Sequence, residues 1–291
     1  MSFWVDKRTS LLMIIAFCVQ ALGADVSPAD KAPYFVIVVP SYNNERYVER
    51  NLRSLMGQRS SKPYKVLYID DCSTDATGRL VDKFIARHAL SSSLIEVIHN
   101  TTRAGTALEN IYNTVHNFVP DDAVVVCVDG DDFLPHKGVL ERLEKAYANP
   151  DTWMTFGRFI VLPNGEFWSQ CWSYPKEVIA ARSFRTSPIV PSHLKTFKAG
   201  LFKRIKREDL LGPDGTFFKK AGDMAFMFPL LEMCAPSSPS SVNHSVFIED
   251  LVLYMYNAGT EANDHYTARD EQIYFDRLIR SKRPYEPLDS L

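Results

Sequence analysis

Four short apolar runs recur through the first half of the chain: "YFVIVVP" (34–40), "KVLYID" (65–70), "SLIEVIH" (93–99) and "AVVVCVD" (123–129). They are apolar throughout rather than alternating, which is what a strand covered on both faces requires. Segments of helical period lie between them. In "NERYVERNLRSLMGQ" (44–58), Tyr47, Val48, Leu52, Leu55 and Met56 share one face and Gly57 offers a stop. Ser73 or Thr74 is placed to cap a helix to about Ala89, with Leu80, Val81, Phe84 and Ile85 inward. "GTALENIYNTVHNF" (105–118) turns Leu108, Ile111, Tyr112 and Val115 inward. Alternation of such strands with such helices predicts an α/β fold on a mostly parallel sheet flanked by helices.

In sheets of that kind, ligands bind beyond the carboxyl ends of the strands. Each apolar run here ends in a polar cluster: "PSYNNE", "DDCSTD", "NTTRAGT" and "DGDD". All four therefore fall on one edge, which solvated turns do not require. The last cluster sets Asp129, Asp131 and Asp132 side by side at the end of a buried strand. Like charges so placed disfavour their own ionisation, so solvent, basic neighbours or a bound cation must offset them.

The second half is less regular and is expected to pack onto the first. A hairpin is predicted around Pro163-Asn164-Gly165, a helix over 222–234 despite Pro229, and one long strand or a strand pair over 246–256. At the N-terminus, Lys7 and Arg8 precede "LLMIIAFCVQALG", and Ala21 and Gly23 precede Ala24. That is the pattern of a secretory signal peptide over 1–24, with a short anchor as the alternative. It implies a secretory route: secreted, in the ER or Golgi lumen, or in a periplasm. No later segment is long and apolar enough to span a membrane. The net charge of −2 gives no field that would gather nucleic acid. Cys72, Cys127, Cys171 and Cys234 have no CxxC spacing, which argues against zinc. The sequons at Asn100 and Asn243 read as chance occurrences.

The ordered set "VVPSYNNERYVERNLRSLMGQ", "YIDDCSTDATGRL", "NTTRAGTALEN" and "VDGDDFL" resembles the family 2 glycosyltransferases of GT-A fold. "HLKTFKAGLF", "AGDMAF" and "YNAGTEANDH" extend the resemblance less tightly. It implies a Rossmann-like, mostly parallel GT-A sheet with a smaller mixed acceptor-side region. The domain would cover 33–270, with a nucleotide-sugar half over 34–134, an acceptor half over 135–270, and a C-terminal tail over 271–291.

The resemblance also implies residue roles. Asp129-Gly130-Asp131 looks like the family's DxD element, with Gly130 allowing close backbone approach. Asp131 is the first choice of ligand for Mn²⁺ or Mg²⁺, since hard cations bridge carboxylates to phosphates. Asp129 would contact the ribose or reach the metal through water. Asp132 would either join them or cap the next helix. Asp70 or Asp71 would accept a hydrogen bond from the base. Pro40, Tyr42 and Glu45 would lie near the nucleotide, although Glu45 also suits a helix first turn. Arg103 would face phosphate or form a surface ion pair. His265 would be a further metal ligand. His193 and Lys195 would touch the diphosphate or sugar, or serve as scaffold. Asp223 matches the family's general base, with a plain helix cap as the alternative and Glu249 and Asp250 ranked behind it; the family often has Glu-Asp where this chain has Gly222-Asp223.

The expectation is a metal-dependent inverting transferase moving a sugar from a nucleotide sugar, most simply a UDP-sugar, to a hydroxyl of a glycan, lipid or protein acceptor. The rivals are a secreted binding protein with a decayed site and a sugar nucleotidyltransferase. "PSYNNE" lacks the glycine- and arginine-rich phosphate loop that the second rival needs.

Overall fold

A computed structural model describes residues 34–259 and 269–291. The expected signal over 1–24 and His265 lie outside the described residues. The first half folds as strand–helix repeats: β1 (Phe35–Ser41), α1 (Val48–Met56), β2 (Tyr64–Asp70), α2 (Thr77–Arg87), β3 (Ile95–His99), α3 (Ala107–Phe118) and β4 (Val124–Cys127), followed by α4 (Val139–Tyr147). Every residue of β1 is buried, as a continuous apolar run on a covered parallel strand should be. β1 pairs in parallel with β2 on one side and β4 on the other, and β2 with β3.

The second half completes the same sheet. β5 (Met154–Gly157), β8 (Thr196–Lys198) and β9 (Ser245–Ile248) join it in the order β3-β2-β1-β4-β8-β5-β9. β8 alone among these strands runs antiparallel to its neighbours. A second sheet holds β6 (Ile160–Leu162), β7 (Glu166–Phe167) and β10 (Met255–Asn257), in the order β10-β6-β7. β6 and β7 form the predicted hairpin, and the run over 246–256 is two strands in two sheets rather than one. Short helices α5 (Lys176–Ala180) and α6 (Ala199–Phe202) connect these strands.

Helix α7 (Gly222–Cys234) is buried from Met224 to its end, and it carries a carboxylate inward. Glu232, 0% exposed, takes a two-pronged bond from Arg185 and accepts the Tyr285 amide at 2.9 Å. The stretch expected as a tail from 271 contains most of helix α8 (Arg269–Ser281), whose Ile279 is buried. Arg280 of α8 donates to the Arg185 and Ser187 carbonyls, so this helix is fastened to the domain. Phe275, Leu278 and Ile279 fall at helical spacing and form the face that packs against the core. No helix among the described residues is long and apolar enough to cross a membrane. The four cysteines from Cys72 onward are free thiols.

Candidate active site

The parallel register brings the polar clusters to one edge: Ser41 lies opposite Asp70, Asp70 opposite His99, and Val38 opposite Cys127. Because β8 runs the other way, its beginning lies at that edge as well. The Cys127 amide donates to the Lys195 carbonyl at 3.0 Å, which carries His193 and Lys195 to the acidic turn.

β4 stops at Cys127, and the chain turns at Gly130 and Asp131. The turn is fastened from below by α1, where Asn51 donates to the carbonyls of Asp129 and Asp132 at 3.0 and 2.8 Å. A Cβ on Gly130 would stand 2.5 Å from Ser41 Oγ, so glycine is needed for the turn to press against the end of β1. The Gly130 amide closes that contact by donating to the Pro40 carbonyl at 3.1 Å.

Asp132 does not cap a helix; α4 begins seven residues on, at Val139. It is buried, with Tyr254 Oη donating to Oδ2 at 2.6 Å and the Asn257 amide to Oδ1 at 2.7 Å. Burial and the charges of Asp131 and Asp129 push its carboxyl well above the usual range. Ligand atoms of Asp129, Asp132 and His193 lie within 4.8 Å of one another. His193 is 5% exposed, its ring stacks on Tyr254 at 4.2 Å, and its Nδ1 is buried without a hydrogen-bond partner. Burial and the neighbouring Lys195 charge hold this imidazole well below its ordinary value, hence neutral. Two carboxylates, one of them crowded by like charge, and a neutral imidazole with an orphaned nitrogen fit a divalent cation. Asp131, the expected first ligand, lies beside this group rather than in it.

Lys195 is the residue that sequence reasoning undervalued. Its side chain is 5% exposed, and Nζ lies 3.8 Å from Asp129 Oδ2 and 4.0 Å from Asp223 Oδ2. Burial disfavours its charge, but Asp129 and Asp223 more than offset that and raise it above the usual lysine value. Asp223 sits in the first turn of α7 and is not its cap; that position is Ala221, in left-handed backbone at φ 53°. Asp223 Oδ1 accepts its neighbour's amide, Met224 N, at 2.9 Å, and the side chain is 32% exposed, open to a partner. The reserve candidates Glu249 and Asp250 are exposed, and Asp250 is clamped by Arg142 of α4 at 2.8 Å.

On the other flank, Asp71 is 3% exposed and accepts from Asn100 Nδ2 at 2.7 Å and from the amides of Ala104 and Gly105 at 2.8 and 3.1 Å. It therefore folds the loop after β3. Asp70 accepts the Ser73 amide at 3.2 Å and meets His99 Nδ1 at 3.2 Å, while His99 Nε2 reaches Asp82. Arg103 lies over the Tyr42 ring at 3.5 Å and 4.0 Å from Asp71. Glu45 accepts the Ala76 amide at 2.9 Å, at the start of α2. Ser73 and Thr74 do not cap α2; they bond to Asn43 of the β1 loop, and Asp75 accepts the Thr77 amide instead.

A cavity of about 640 Å³ opens beside Asp223 and His193, lined also by Phe159, Trp168, Tyr256 and residues of α8.

Comparison with known proteins agrees with this architecture. TarS of Staphylococcus aureus, a poly(ribitol-phosphate) beta-N-acetylglucosaminyltransferase, is 40% identical over 63 residues, which is 21% of this chain and 11% of TarS. An uncharacterized glycosyltransferase of Haemophilus influenzae is 27% identical over 198 residues, 67% of this chain and 58% of that protein. The chain thus spans well under two thirds of the curated relatives it matches. The structure of TarS 1-349 in complex with UDP-GlcNAc superposes with a TM-score of 0.61 at 20% identity, covering 84% of this chain and 65% of that one. Glucosyl-3-phosphoglycerate synthase from Mycobacterium tuberculosis, solved with Mn²⁺, UDP and glucosyl-3-phosphoglycerate, gives 0.54 at 14% identity, covering 88% and 83%. These likenesses establish the GT-A fold. The model of the family "Glycosyl transferase family 2" matches residues 36–206, more than half of the chain, and the protein belongs to that family.

Proposed function

We propose that this chain is a metal-dependent, inverting glycosyltransferase that moves a sugar from a UDP-sugar to an acceptor hydroxyl, with Asp223 as the base. One observation carries the reading: a single buried ammonium, Lys195, stands between a carboxylate of the acidic turn and the first-turn carboxylate of α7. Donor-side and acceptor-side acids are thereby held across one charge at the carboxyl edge of the sheet, where ligands of such sheets bind.

Asp129, Asp132 and His193, with Asp131 beside them, would hold Mn²⁺ or Mg²⁺. A divalent cation there supplies positive charge against a departing diphosphate. The TarS structure with UDP-GlcNAc and the Mycobacterium structure with UDP and Mn²⁺ support a uridine donor. Asp70, at the end of β2, or Asp71 beside it would accept a hydrogen bond from the uracil base. Asp223 takes the proton of the acceptor hydroxyl as that oxygen attacks the anomeric carbon. The bond from that carbon to the diphosphate breaks on the opposite face, inverting the configuration. Lys195 Nζ, 4.0 Å from Asp223 Oδ2, holds that carboxylate toward the acidic turn. The stretch 1–24 is proposed as a secretory signal, which N-terminal sequencing of exported protein would test.

Asp223→Asn tests the reading. The amide oxygen can still accept the Met224 amide, so fold and UDP binding should persist. Turnover should fall by about 10²–10⁴-fold, the range of a lost general base. Turnover within about threefold of wild type, at most a small fraction of the barrier, would remove Asp223 as the base.

A further inference from the structure

We infer that the cavity beside Asp223 is a binding site for an uncharged saccharide and that it rejects phosphorylated acceptors. The inference rests on the reading of Asp223 as the base. The cavity, about 640 Å³, is the size of a small-molecule site and not of a surface dimple. Two rings form one wall: Phe159, 3% exposed, lies nearly parallel to Trp168, with centroids 6.1 Å apart. Tyr256 stands edge-on to Phe159. Aromatic faces suit the C–H face of a pyranose ring, whose hydroxyls then point sideways to polar partners. Gln170, Ser192 and Gln272 line the cavity to receive them.

Charge decides between a neutral and an anionic occupant. The described lining holds two guanidiniums, Arg185 and Arg280. Arg185 is 8% exposed; it pairs with the fully buried Glu232 and donates to the Ile279 carbonyl at 2.6 Å. Arg280 grips both oxygens of Asp276, at 3.1 and 2.9 Å, and donates to the Arg185 and Ser187 carbonyls. Each cation is already matched by a carboxylate and by backbone oxygens. Asp223 remains, with Lys195 shared between it and Asp129. A phosphate entering this cavity would meet two carboxylates, Asp223 and Asp276, and two guanidiniums already paired with Glu232 and Asp276. It would lose its water against cations whose charge is already matched, which is unfavourable. A sugar hydroxyl carries no such cost and presents the proton that Asp223 takes.

The test is calorimetric titration of the full chain, with and without UDP and Mn²⁺. The neutral probes are methyl β-D-glucoside, methyl β-D-galactoside, N-acetylglucosamine and lactose. The charged probes are the 6-phosphates of the three monosaccharides and 3-phosphoglycerate. At least one neutral probe should saturate, and bind at least about tenfold more tightly than its phosphate, a difference of about 1.4 kcal/mol. Trp168→Ala should abolish that binding while leaving UDP binding in place, and Trp168→Phe should retain most of it. Asp276→Ala, which releases Arg280, should raise phosphosugar affinity and leave the neutral probe nearly unchanged. Equal or tighter binding of the phosphates, or no saturation by any neutral probe, overturns the inference. Saccharide binding in a protein that fails to bind UDP would refute the transferase reading and leave this assignment standing.

Discussion

Replacing Lys195 by Met removes the buried cation between Asp129 and Asp223 while keeping an unbranched side chain one atom shorter. At separations of 3.8 and 4.0 Å, each attraction amounts to roughly 4 kcal/mol at an effective dielectric constant of about 20. Desolvation of the ammonium, whose side chain is 5% exposed, cancels part of this. Losing one partner of a buried ion pair typically costs about 3–5 kcal/mol. In a domain of this size a kilocalorie shifts melting by about 2–4 °C, so Lys195→Met should melt about 6–20 °C lower. Two further results should accompany the loss. Adding Mn²⁺ should raise the melting temperature of the variant more than that of the wild type, because the ion supplies the missing charge. Asp223→Asn should recover part of the loss in the Lys195→Met background, giving a coupling energy of at least about 1 kcal/mol in a double-mutant cycle. Melting by calorimetry and by fluorescence, each with and without Mn²⁺, measures all of this. A variant melting within about 2 °C of wild type, with additive effects in the cycle, would refute the placement of Lys195 as the shared counter-charge.

Asp132→Asn should leave stability without metal unchanged or improved, because burial and like charge already oppose ionisation of this carboxyl, yet it should weaken Mn²⁺ binding by at least about tenfold in a direct titration; unaltered Mn²⁺ affinity would remove Asp132 from the ion site. Arg185→Met strands Glu232, which is 0% exposed, and should destabilise by about 3–5 kcal/mol in urea unfolding, with Glu232→Gln in the same chain restoring much of it. Burial alone would raise the Asp71 carboxyl, but donation from Ala104, Asn100 and Gly105 outweighs it and holds the group below the usual range. Its stabilisation is therefore complete above the unfolded value of about 3.9 and is lost as pH falls through the lower folded value, so Asp71→Asn should flatten the acid limb of a melting-versus-pH profile below about pH 4; an acid limb identical to wild type would exclude Asp71 as its source.

The sheet was legible because burial on both faces leaves little choice of residue. Along β1 every position from Phe35 to Ser41 is buried, and the sequence there is apolar with one proline and a terminal serine. Helix faces were legible for the same reason, since Val48, Leu52 and Leu55 are the buried apolar residues of α1. Loop chemistry was less so. Ser73 and Thr74 have the residue types of helix caps, but hydrogen bonding to Asn43, thirty residues earlier, claims them. A cap is a local signal and a bond between two sheet-edge loops is not. Asn51 did carry a signal: an amide on the apolar face of α1 must find partners when buried, and it finds the carbonyls of the acidic turn.

The acidic turn shows where sequence reasoning reaches its limit. Three carboxylates after a buried strand demand a counter-charge, and the sequence states the demand without naming what meets it. Two things meet it, both remote in the chain. Tyr254 and the Asn257 amide reach Asp132 from β10 and the residue before it, and Lys195 reaches Asp129 from the start of β8. In "SHLKTFK" nothing distinguishes Lys195 from a solvated lysine except that it precedes Thr196 and Phe197, both buried. The antiparallel entry of β8 puts that lysine at the carboxyl edge, where a parallel strand would have put its other end. The direction of one three-residue strand thus decides whether the acids of the turn and of α7 share a cation.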